Sequence, residues 1–113
     1  MKAQSPIDLN LLAEILGTNE EDELSEWLFL FLDHFPHMLP PLESAIESRQ
    51  PMDLRNAAHK AKSTSSSIAA PRLTTLLRYL EVEASSEAWD AFSEAMKEVK
   101  SEFDLIGQFC RNR

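Results

Sequence analysis

Between residues 92 and 110, Phe92, Met96, Val99, Phe103, Ile106 and Cys110 recur in alternating steps of four and three. That spacing makes a continuous apolar seam down one side of a long α-helix, and such a seam is stable only against other helices. Nothing elsewhere in the 113 residues offers it a sheet, since no stretch alternates apolar and polar residues for long. Only two glycines occur, Gly17 and Gly107, too few for the tight turns of a β-rich fold. The chain is therefore expected to be all-α. It is long enough for one domain with a single modest core.

Four further helical segments fit this expectation. Pro6 and the following IDLNLLAEIL suggest a short first helix with Ile7, Leu11, Leu12 and Ile15 on one side, closed by Gly17. Thr18 or Asn19 can cap a second helix, whose first turn carries Glu20, Glu21, Asp22 and Glu23, favourable to the helix dipole. Its apolar positions run Leu24, Trp27, Leu28, Phe31, Phe35, Met38, Leu42 and Ile46. Pro36, Pro40 and Pro41 interrupt it, and a kink or break is expected near Pro36, where a mid-helix proline costs about 3 kcal/mol or more. A third helix is read over residues 52–69. Pro71 opens a fourth, with Leu73, Leu76, Leu77 and Leu80 facing inward, and a turn at Ser85 and Ser86 leads to the seam helix. Four long amphipathic helices with short connections imply an antiparallel four-helix bundle with a short additional N-terminal helix, spanning residues 1–113 as one domain. The hydroxyl run Ser63–Ser67 is a poor helix former, but Ile68 and the flanking alanines keep the stripe in phase and favour helix.

Eleven basic against nineteen acidic residues leave a net charge of −8. That disfavours binding to nucleic acid, which needs a positive footprint, and to anionic membrane surfaces. The longest apolar run, Trp27–Leu32, is far short of a bilayer span. A single cysteine, Cys110, excludes an internal disulfide and suits a reducing compartment. Met1–Asp8 lacks the basic and apolar regions of a signal peptide, so a cytoplasmic location is expected. Met1 and a length that suits one bundle favour a free-standing protein, and a fully satisfied seam favours a monomer.

Against this acidic background one segment stands out. From residue 52, MDLRNAAHKAKSTSSSIAA separates at about 100° per residue into two stripes. Leu54, Ala57, Ala61, Thr64, Ser65 and Ile68 form one; Met52, Arg55, His59, Lys62, Ser63 and Ser66 form the other. An imidazole on the wet side beside cations and small hydroxyl residues is placed to meet an anion. Free histidine titrates near pH 6.5, so a neutral ring nitrogen is available to attack phosphorus and become a phosphoramidate. Lys62 at i+3 and Arg55 at i−4 flank the ring, Lys60 lies about 100° away, and Ser63 and Ser66 carry hydroxyls that can donate to phosphoryl oxygens.

These residues, with the acidic start of the second helix, LSEWLFLFLDHFPHMLPPLESAI and AAHKAKSTSSSIAAPRLTTLLRYLE, resemble the histidine-containing phosphotransfer (HPt) domains of multistep phosphorelays over nearly the whole chain. The resemblance implies that His59 accepts a phosphoryl group and that Lys62 supports it electrostatically. It also implies a division of labour. The group would arrive from an aspartyl phosphate on a response-regulator receiver domain or a hybrid sensor histidine kinase, and leave to another receiver. Magnesium would come from the receiver, so the chain needs no cofactor or metal of its own. It carries no glycine-rich phosphate loop and is not expected to use ATP. Two positions depart from the family pattern: Ser63 stands where a glycine is usual, and Ala61 where a larger aliphatic residue is usual. The serine adds bulk where a partner must approach, which keeps a second reading open, a helical adaptor of the same fold that binds partners without being phosphorylated.

Phe29 points about 160° from the main stripe of the second helix. The short first helix covers it, or it joins Met52 in an apolar docking surface for a receiver. His34 and His37 at i, i+3 resemble half of a metal site, but no second ligand pair accompanies them and a surface role is expected. Trp27 and Trp89 are read as core residues, and Cys110 as buried and inert.

Overall fold

The seam helix forms over its full length. In the computed structural model, which describes residues 5–113, Trp89–Arg111 is one continuous helix, the sixth α-helix in chain order and here α6. At 1.5 Å per residue it is about 34 Å long and supplies most of the molecule's 43 Å long axis. Phe92, Met96, Val99, Ile106 and Cys110 are buried along it, and Phe103 is half-buried. Before it come α1 (Leu9–Leu16), α2 (Glu21–His34), α3 (Leu39–Glu47), α4 (Pro51–Ser67) and α5 (Pro71–Glu83), and no strand occurs among the described residues. The sequence reading of Met1 falls outside them.

Pro36 acts as expected. α2 ends at His34, a 3₁₀ turn spans Phe35–Met38, and α3 restarts with Pro40 and Pro41 in its first turn, where missing N–H groups cost nothing. The turn keeps Phe35 on the inner side. Its ring lies 5.1 Å from that of Phe31 and 5.0 Å from that of Phe103, an aromatic cluster joining α2 to α6. α6 also packs on α3 and α5, and α4 lies between α3 and α5.

Pro51 and Pro71 start α4 and α5. Between these helices Ala69 takes a left-handed conformation (φ 57°) and turns the chain sharply. Its carbonyl accepts a 2.8 Å bond from the N–H of Asp8, tying the start of α1 to this turn. Asp8 in turn caps α1 through the N–H of Leu11. Ser65 near the end of α4 meets Thr74 near the start of α5, their hydroxyl oxygens 2.8 Å apart and partly buried. Ala58 and Ala61 are fully buried, so the α4 backbone comes close to its neighbours.

Several sequence expectations are corrected. α1 begins at Leu9, not at Ile7, and buries Leu12, while Leu11 and Ile15 are exposed. Ile7 is buried from the preceding coil, so packing and not helical phase selects the inner residues. The N-cap of α2 is Glu20, and Thr18 instead accepts from the N–H of Glu20 at 3.2 Å. Trp27 is 50% exposed, because the α2 seam is centred on Leu24, Leu28 and Phe31 and leaves the indole at its edge. Trp89 is partly buried against Phe92. On α4 the inner stripe is centred on Ala58, with Ala57 half-buried.

Candidate functional site

His59 occupies the middle of α4, and its side chain is 62% exposed. Its Nδ1 lies 2.9 Å from Oε2 of Glu81 on α5. The other oxygen of that carboxylate, Oε1, is buried and pairs with Nζ of Lys62 at 2.6 Å. One carboxylate thus holds both residues of the expected site. The Lys62 ammonium, and then the His59 ring, hold the Glu81 carboxyl below the usual carboxylate range, against a smaller opposing effect of burial.

A carboxylate can only accept, so the shared proton belongs to Nδ1 of His59. The neutral ring then keeps its lone pair on Nε2. This is the tautomer that makes Nε2 a nucleophile, with the ring held in place by the carboxylate. Lys62, which the helix-face argument placed simply beside the ring, is turned toward Glu81. It packs down toward α5, with its side chain 24% exposed, and its charge balances that of Glu81. Through Glu81 the ammonium is thus fixed close to the ring.

The remaining sequence candidates divide. Arg55 is exposed one turn before His59 and lines a cleft with Met52, Glu81 and Val82. Lys60 is also exposed but faces the other side, lining a cleft of about 610 Å³ with His34, His37 and Asn56. Ser63 donates its hydroxyl proton to the carbonyl of His59 at 3.1 Å, so it is not a free donor toward a phosphoryl group. The same back-bonding inside α4 occupies Thr64, Ser65 and Ser67 and explains how the hydroxyl run stays helical. Ser66 is exposed two turns beyond His59, near the helix end, where its carbonyl accepts the N–H of Ala69. Phe29 is 48% exposed, so α1 does not cover it, and it lies on α2 and not on the helix that carries His59. His34 and His37 are exposed, and no group of three or more metal-ligating side chains occurs among the described residues. Cys110 is buried, which pushes its thiol pKa up. No helix of the described chain is long and apolar enough to cross a membrane.

Glu81 is the residue that the sequence reading missed. A signal was present: the turn between α4 and α5 centres near Ala70, and His59 and Glu81 stand equidistant from it. Once the two helices are recognised as an antiparallel hairpin, this acidic residue falls opposite the histidine.

No curated protein matches the chain at a significant level. Among solved structures, the crystal structure of histidine-containing phosphotransfer protein B (HptB) from Pseudomonas aeruginosa PAO1 superposes with a TM-score of 0.83. The match covers 97% of this chain and 95% of that one, at 23% sequence identity, and so speaks to the fold. Residues 26–108, from the second turn of α2 to the last turn of α6, match the Hpt domain family. That span holds His59, Lys62 and Glu81 together with the helices that bring them into contact, and on it the chain belongs to the Hpt domain family.

Proposed function

We propose that this protein is a phosphorelay intermediate: His59 accepts a phosphoryl group from the aspartyl phosphate of a receiver domain or hybrid sensor kinase and passes it to another receiver. The observation that carries this reading is the exposed His59 ring with its Nδ1 2.9 Å from the Glu81 carboxylate, an arrangement in which Nε2 keeps the lone pair. In the transfer Nε2 attacks phosphorus, the bond from phosphorus to the aspartyl oxygen breaks, and the aspartate leaves as a carboxylate. The ring gains positive charge as the P–N bond forms, and the Glu81 carboxylate stabilises it. Lys62 counters the charge on the transferring oxygens. The reverse sequence hands the group to the next receiver.

The scaffold is read as an antiparallel four-helix bundle in which α2 and α3 act as one bent helix, with α1 as the short extra helix. The protein works as a cytoplasmic monomer, without ATP, cofactor or metal of its own. Arg55 sets the electrostatics around the ring, Lys60 is a more distant cation on the other side of α4, Ser63 and Ser66 line the approach, and Met52 and Phe29 belong to docking surfaces. The adaptor reading stays as the alternative, favoured by the extra bulk of Ser63 next to Lys62.

The test is phosphoryl transfer from a panel of radiolabelled, phosphorylated receiver domains to the wild type and to His59→Gln. Label on the wild type alone, labile in acid and stable in base, is the expected result. Receiver binding without label on the wild type would establish the adaptor instead.

A further inference from the structure

We infer that the cleft next to Glu81 is an anchoring slot for the receiver, taking an apolar side chain that has a carboxylate beside it. The inference rests on the phosphotransfer reading and adds the chemistry by which a partner is chosen. Met52 and Arg55 of α4 and Glu81 and Val82 of α5 line a cleft of about 520 Å³ together with Ala84 and Ser85. Met52 and Val82 are both 66% exposed, the most exposed large apolar side chains among the described residues. Paired across one cleft, they offer an apolar side chain a place to be buried.

Charge decides what accompanies that side chain. The carboxylate of Glu81 is already compensated by His59 and Lys62. Arg55, at the lip, has no ion-pair partner among the described residues. It is an uncompensated cation on a chain of net charge −8, so an acidic group approaching the molecule is drawn to it. The slot is also continuous with the phosphoacceptor, because Glu81 lines it and bonds the His59 ring. Arg55 stands four residues from His59 on the same helix, about 6 Å along the axis. A partner seated at this distance has its orientation fixed at the reacting atoms, where geometry governs rate.

The experiment takes whichever receiver of the panel donates fastest to the wild type. It compares the wild type with Val82→Glu and Arg55→Gln, and uses phosphoramidate as a small donor that needs no docking. Val82→Glu is expected to accept label from phosphoramidate as the wild type does. Val82→Glu should raise the KM for the receiver about tenfold or more with kcat little changed, and Arg55→Gln should flatten the salt dependence of that KM. The ¹³C-methyl resonance of Met52 should shift when unphosphorylated receiver is added, while that of buried Met96 stays in place. An unchanged KM, or receiver binding that leaves Met52 unmoved, overturns the slot alone. A Met52 shift that depends on the concentration of this chain without receiver assigns the cleft to a second copy and overturns it too. Failure of every receiver to label the wild type overturns the phosphotransfer reading, and the slot loses its occupant with it.

Discussion

Glu81 couples two residues that a helix-face argument treats separately, because its oxygens bond the His59 ring on one side and the Lys62 ammonium on the other. Removing the charge while keeping the shape separates its roles. In Glu81→Gln the amide oxygen still accepts from Nδ1, but the charge assistance is gone, and charged hydrogen bonds are about twice as strong as neutral ones. A loss near 1.4 kcal/mol corresponds to about a tenfold slower transfer. Glu81→Ala also frees the tautomer, so its transfer should be slower still, with a mixed Nδ1–H and Nε2–H population in long-range ¹H–¹⁵N spectra of His59. Equal rates for all three proteins would remove Glu81 from the mechanism. The pH dependence of stability has a definite sign. The folded Glu81 carboxyl sits below its unfolded value, so its pairing stabilises the fold fully above the usual carboxylate range, near pH 4.3, and this contribution fades as acid protonates it in the folded state. The stability gap between the wild type and Glu81→Gln should be constant near neutrality and close in acid; a gap that widens in acid would contradict the assignment.

Helices were legible wherever the chain carries a long stripe or a proline. The α6 seam, the break at Pro36 and the starts at Pro51 and Pro71 could all be read locally, because each follows from periodicity or from a missing N–H. The inner face of α1 could not. Eight residues give too few repeats to fix a phase, and what buries Ile7 is the long-range bond from Asp8 to Ala69. The α4 stripe was nearly right, yet Ala57 and Ala58 are equivalent by composition, and only the approach of α5 selects the second. That approach can be tested. Ala58 is fully buried where α4 lies between α3 and α5, so Ala58→Leu must force the helices apart. Overpacking of this kind costs about 1–3 kcal/mol, equivalent to about 4–12 °C in Tm for a domain of this size. Ala57→Leu, with room at the helix edge, should cost much less by thermal melting. Similar losses from both variants would mean that the two positions share the core.

At the scale of the whole molecule, the sequence disclosed the helices but not which side chains join distant parts of the chain. His59 to Glu81, Lys100 to Glu43 and Arg113 to Glu21 are pairings between separate helices or their ends, and only the first leaves a signal in the sequence, the symmetry of the α4–α5 hairpin about Ala70. The last of these bears on how firmly α6 is held at its C-terminal end. Arg113 pairs with Glu21 in the first turn of α2, and its guanidinium stands 6.0 Å from the centre of the Phe109 ring. Cys110 lies between these contacts and is buried, so it reports on them directly. Its thiol is hard to reach and hard to ionise, since burial raises its pKa, and only the thiolate reacts. In native protein, modification by a disulfide reagent should therefore wait for an opening of the α6 end. Arg113→Ala removes both anchors, so Cys110 should react several-fold faster while far-UV circular dichroism and the Tm change little, the signature of local opening rather than global unfolding. Equal rates in the wild type and Arg113→Ala would show that the end is held by the apolar contacts of Phe109 and Cys110 alone. Immediate reaction of the wild type would show that it is not held at all.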